Sequence, residues 1–165
     1  MEEVKYGVRA ERAMELFKEG YNCTQSVVLA FSDYYKESTE DLAAMVCSFG
    51  GGMGRLREVC GAVSGMLFVA GRIYGYSDPK AKEKKAEHYA RVQELARRFR
   101  EKNGAIVCRE LLGLTEKVST PVPEERTQEY YKKRPCMALI GDAAEILEQY
   151  IAENSPESEV EEKTE

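Results

Sequence analysis

No stretch of this sequence approaches the run of about 18 apolar residues needed to cross a bilayer. Its opening, MEEVKYGVRAERAME, has neither the apolar core of a secretion signal nor a twin-arginine pair. A cytoplasmic location without membrane insertion is therefore expected. A basic face is missing too. Of the net charge of −5, the segment from Asn154 onward supplies −4, with five glutamates against one lysine. The nearly neutral body lacks the positive patch that nucleic acid requires. The tail, 154–165, has the polar, acidic composition of a disordered end. That leaves residues 1–153 as a single domain, the usual outcome at this length. No segment alternates apolar and polar residues with β-branched enrichment, and there is no internal repeat, so strands are not expected. Histidine is reduced to His88 alone. Nothing resembles a Ser-His-Asp arrangement, and no carboxylate pair stands out among so many surface glutamates.

What the sequence does have is helical periodicity. Val8, Ala13, Met14, Leu16 and Phe17 recur on one face up to Gly20, which stands where a left-handed C-terminal cap would. Asn22 followed by Gln25 reads as a capping box that starts a second helix at Cys23. Thr39, Glu40 and Asp41 open a third, DLAAMVCSF, which the run Gly50, Gly51, Gly52 must stop. REVCGAVSGMLFVAG leads into a buried helix in which Gly61, Ala62 and Gly65 let another backbone approach closely. Asp78 and Pro79 supply an N-cap and first turn for a long helix to about Lys102, with Tyr89, Val92, Leu95, Ala96 and Phe99 facing inward. AIVCRELLGL forms a short helix around Cys108, TEKVSTPVPEERT a loop, and Pro135 opens the last helix at Cys136. The fold expected is all-α, a bundle of about six or seven helices.

Five cysteines, Cys23, Cys47, Cys60, Cys108 and Cys136, are many for a compartment in which structural disulfides are rare. Metal binding or redox chemistry thus rises above stapling, although no C-x-x-C pair is present. Cys23, Cys60 and Cys136 fall at helix starts, where unpaired amides and the positive dipole end favour a thiolate. Cys47 and Cys108 read as mid-helix core fillers.

GYNCTQSV at 20–27, FGGGMGRLREVCGAVSG at 49–65, CRELLG at 108–113 and the late Cys136 together resemble the C_GCAxxG_C_C family of redox-active proteins over roughly residues 7–150. The resemblance implies four shared cysteines, Cys23, Cys60, Cys108 and Cys136, with Gly61, Ala62 and Gly65 completing the CGAxxG motif. It also implies an iron–sulfur or other prosthetic group, since some family members are exported by the twin-arginine route.

Three readings of those four cysteines stay open. They are ligands of an iron–sulfur cluster or a zinc ion, a cofactor-free thiol/disulfide couple in which Cys60 and Cys23 react, or packing residues of an interaction module. In the first, an electron carrier with an oxidoreductase partner, Gly61 provides room beside the Cys60 sulfur. Cys47 is an extra thiol, dispensable for ligation, that the following turn brings within reach of Cys60. GGGMGR invites a phosphate-loop reading in which Arg55 and Arg57 pair with an anion, but it lacks the G-K-[ST] ending and follows a helix, which favours a tight connection over a nucleotide site. His88 is expected on a partly covered helix surface. Met45, Met53, Met66 and Met137 are expected in the core, and Tyr34, Tyr35, Tyr130 and Tyr131 at its rim with wet hydroxyls.

Overall fold

A computed structural model describes residues 5–115 and 120–156. Within them the chain is all-α, with eight right-handed helices: α1 (Val8–Lys18), α2 (Cys23–Leu29), α3 (Thr39–Val46), α4 (Gly61–Tyr74), α5 (Lys82–Asn103), α6 (Cys108–Leu111), α7 (Gln128–Lys133) and α8 (Cys136–Glu153). The expected acidic tail lies, from residue 157 on, outside the described residues.

The capping box is present as the sequence implies. The Asn22 side chain accepts from the Gln25 amide at 2.9 Å, and Gln25 Oε1 accepts from the Asn22 amide at 3.0 Å. Two amides at the start of α2 are thereby satisfied. The core is built where α1 packs on α8 and α2 on α4. Val27, Val28 and Phe31 meet Val63, Met66 and Val69, with Leu42, Leu95, Phe99, Ile140 and Leu147 closing round them, all fully buried. The small residues of α4 serve the close approach expected of them. A methyl group at Gly65 would stand 3.0 Å from the Thr24 carbonyl oxygen, and Thr24 Oγ1 donates to the Gly61 carbonyl at 2.8 Å.

Several local expectations change. Helix α5 begins at Lys82 rather than at Pro79, because the Asp78 side chain and carbonyl are taken by the amides of Lys80 and Ala81 in a turn. On that helix Tyr89 is 52% exposed, while Leu95 and Phe99 are buried. Val8 on α1 is also exposed, as are Met45 and Met53. Tyr34, Tyr35, Tyr130 and Tyr131 are half-buried, but the Tyr35 hydroxyl is buried without a partner, not wet. Helix α7, capped by Thr127 accepting from the Tyr130 amide, follows directly on the proline-interrupted loop and was not foreseen.

The glycine run does more than stop α3. Cys47–Phe49 forms a single 3-10 turn, after which Gly51, Gly52, Met53, Gly54 and Arg55 are five consecutive residues at positive φ, between 59° and 71°. The turn closes through the Gly54 amide donating to the Gly50 carbonyl at 2.9 Å. A left-handed turn costs roughly 1–2 kcal/mol for each residue that carries a Cβ, so glycine fills three of its five positions. Arg57, just beyond, is again left-handed at 61°.

Candidate functional site

Cys23 is the first residue of α2, Cys60 the N-cap of α4, Cys108 the first residue of α6 and Cys136 the first residue of α8. Cys108 therefore opens a helix instead of filling the middle of one. The structure brings these four cysteines onto the wall of one cavity of about 280 Å³, whose rim includes Cys47, Arg55, Arg57, Tyr130 and Arg134. All five thiols are free.

Two local devices set the arrangement. First, Val59 and Val107 form an isolated antiparallel bridge. The Cys60 amide donates to the Ile106 carbonyl at 2.8 Å, and the Cys108 amide to the Glu58 carbonyl at 2.6 Å. Each cysteine follows its bridge residue directly, so in this antiparallel pairing positions 60 and 108 are diagonal neighbours on one face. Second, Gly61 lets α2 approach α4 at the site. An added methyl there would lie 2.2 Å from Cys23 Sγ, 2.7 Å from Thr24 Oγ1 and 3.0 Å from the Phe49 carbonyl oxygen. The room left by Gly61 is thus taken up by the Cys23 sulfur, in the first turn of α2.

Burial dominates the electrostatics. It pushes the Cys23, Cys60 and Cys136 thiols above their ordinary range, Cys136 to about 12. Charge on a neighbour adds to this: Cys23 acts on Cys60 and Cys136, and Cys108 acts on Cys23, Cys60 and Cys136. The opposing influences are backbone amides of Gly51 and Thr24 aimed at the Cys23 sulfur, amides of Ala62 and Val63 at that of Cys60, and the positive charges of Arg134 and Arg57 near Cys136. Burial outweighs these, so the three thiols stay protonated at neutral pH.

Arg57 is only 6% exposed. Its Nη1 donates to Cys108 Sγ at 3.8 Å, and its Nε is buried without a partner. The other arginines of the rim are engaged: Arg55 Nε donates to the Thr120 carbonyl at 2.8 Å, Arg126 donates to the Phe17 and Tyr21 carbonyls, and Arg134 pairs with Glu124. Cys47, at the C-terminal cap of α3, is exposed rather than packed. His88 stands apart from the cavity, half-buried on α5 beside Arg91, whose Nη1 is 3.0 Å from its Nδ1. The sequence marked Arg57 only as a candidate partner of an anion beside Arg55, without its burial or its contact with Cys108, and carried no signal for the bridge at Val107.

These environments predict an order of reactivity. In the native reduced protein, iodoacetamide at pH 8 should label Cys47 well before Cys60 or Cys136, as read by peptide mass spectrometry. With its pKa near 12, Cys136 is thiolate in roughly one molecule in ten thousand at pH 8. The same shift makes stability depend on pH. The unfolded chain releases thiol protons near pH 9 while the folded chain keeps them, so stability is complete below about pH 8 and falls as pH climbs from 9 towards 12. Urea midpoints across pH 7–10.5 should decline on the alkaline side.

Residues 21–150 match the family model described as "Putative redox-active protein (C_GCAxxG_C_C)". An "Uncharacterized protein" of Archaeoglobus fulgidus is 29% identical over 154 residues, covering 88% of this chain and 93% of the relative. No solved structure matches the chain.

Proposed function

Since the chain belongs to the C_GCAxxG_C_C family of redox-active proteins, we propose that its redox group is an iron–sulfur cluster held by Cys23, Cys60, Cys108 and Cys136, and that it carries electrons to or from an oxidoreductase partner. The observation that carries this reading is the meeting of four thiols from four separate helix starts on one cavity of about 280 Å³.

The donor set suits the group. Among the described residues no three His, Cys, Asp or Glu side chains gather closely enough to hold a lone metal ion, so a zinc site would require the thiols to close in. Thiols spread round a cavity suit a multinuclear centre, which accepts four cysteine sulfurs from its periphery. The buried, unpartnered Arg57 Nε and the amides directed at Cys23 and Cys60 suit the negative charge that thiolate-ligated clusters carry. Such a group, when bound, accepts and returns single electrons; the chain's own part is to supply sulfur, exclude water and fix the surrounding charge.

Anaerobic reconstitution with ferrous iron and sulfide, followed by an absorbance spectrum and iron and sulfide analysis, tests the reading. Replacement of any of the four by serine should reduce iron and sulfide content at least tenfold, whereas Cys47→Ser should retain it. Equal loss in Cys47→Ser would show that the ligand set is wrong.

One observation favours a second reading. Cys23 and Cys60, both free and both on the cavity wall with the charge of Cys23 acting on Cys60, suit a dithiol that forms a disulfide, giving two protons and two electrons to a disulfide acceptor. A protein that stays colourless and iron-free, with a loss of two titratable thiols on oxidation, would favour it. A protein with neither behaviour would leave the cysteines as packing.

A further inference from the structure

Arg57 is a buried cation without a carboxylate. Its side chain is more than nine-tenths buried, its Nη1 points to Cys108 Sγ, and its Nε has no partner. Among the described residues its charge is met by no ion pair, unlike Arg134 with Glu124 or Arg109 with Glu58. An unpaired buried cation is expensive and is kept only where something negative answers it. Its backbone adds to that cost, since φ is 61°, in a region non-glycine residues rarely occupy. Neither burden is explained by packing, as any apolar side chain would fill the volume.

We propose that Arg57 is the fixed internal counter-charge of the four-thiol cavity: it sets the reduction potential of the group held there by hydrogen-bonding the Cys108 sulfur and opposing the negative charge that reduction adds. This rests on the cluster reading above. Arg57 is a positioning residue in the electrostatic sense, acting through the Cys108 sulfur. Reduction places one electron on the group, supplied in the experiment by dithionite, with no bond broken and no proton taken up. A buried positive charge beside the ligand favours the more negative, reduced state, so its removal must lower the potential.

The test is an anaerobic redox titration of reconstituted protein, followed by absorbance and electron paramagnetic resonance, with iron content and far-ultraviolet circular dichroism measured on each sample. Arg57→Gln should hold less reduced group at a given potential, by about tenfold in the reduced-to-oxidised ratio, equivalent to a midpoint about 59 mV lower for one electron. Arg57→Lys keeps the charge and should stay within about twofold of the original ratio. Arg57→Met supplies a second neutral side chain of similar reach should the glutamine variant fold or load poorly, and the same tenfold fall is expected of it.

Loaded neutral variants with an unchanged midpoint overturn the assignment while leaving the cluster reading intact. A lysine variant that falls as far as the neutral ones also overturns it, because the effect would then come from shape rather than charge. Failure of the unsubstituted protein to take up iron and sulfide defeats the cluster reading, and this inference with it.

Discussion

Valine at position 61 is expected to abolish iron and sulfide retention and to lower the stability of the apoprotein by about 3 kcal/mol or more. The sequence allowed two separate roles for Gly61, room beside a reactive sulfur or room for a packed helix; the geometry makes them one. The atoms that a Cβ would strike are Cys23 Sγ at 2.2 Å, Thr24 Oγ1 at 2.7 Å and the Phe49 carbonyl oxygen at 3.0 Å. Two belong to the first turn of α2, so α2 cannot retreat without moving the Cys23 thiol and breaking the buried hydrogen bond from Thr24 to the Gly61 carbonyl. Overpacking of this kind costs about 1–3 kcal/mol, and a lost buried hydrogen bond about 1 kcal/mol more. Gly61→Ala should already show part of both effects. Denaturant melts and metal analysis on the two variants check this. A stable Gly61→Val protein with normal iron content would mean that α2 and α4 are not held together as described.

The second large effect is expected at Gly52. Its φ is 71°, and a methyl group there would meet the Glu58 amide nitrogen at 2.7 Å, Cys108 Cβ at 2.8 Å and Arg57 Cα at 2.9 Å. None of these is the free end of a flexible side chain. Gly52→Ala combines the left-handed penalty of roughly 1–2 kcal/mol with overpacking of about 1–3 kcal/mol, and displaces both Cys108 and Arg57. Gly104 is the natural control. It too is left-handed, at 88°, but nothing lies within 4 Å of its would-be Cβ. Gly104→Ala should lose only the conformational part, and its cofactor content should not change. Equal destabilisation by both substitutions in urea melts would show that crowding at Gly52 counts for nothing.

The sequence carried the helical part of this structure because its signals are local. Asn22 and Gln25 cap α2 through atoms three residues apart, and Leu95 and Phe99 reach the core through simple periodicity. It misled where a side chain had a competing local partner, as with Asp78, whose turn postpones α5 to Lys82. For the site, the residue types were legible and their relations were not. The pairing of Val59 with Val107 spans 48 positions without a strand on either side to announce it. Cys108 therefore looked like helix filling although it is the first residue of α6. Gly61 was legible as a place of close approach, yet only the packing of α2 says that the approaching sulfur is that of Cys23. Arg57 was legible as a candidate partner of an anion but not as a buried one, since an arginine in a charged stretch is by default a surface residue. Its burial follows from the left-handed turn that carries it inward.

The bridge between Val59 and Val107 also bears on how such a protein is made. It joins neighbourhoods separated by the whole of α5, and Cys136 follows later still, so a growing chain has no complete set of these sulfurs until residue 136 has been made. Pairings this distant in sequence form late, because the loop between them must first be closed. Under the proposed cluster ligation, loading waits until these distant parts have met. Under that proposal, iron offered early would meet scattered thiols in an unfolded chain, whereas iron offered late would meet a formed cavity and stabilise the fold through its binding.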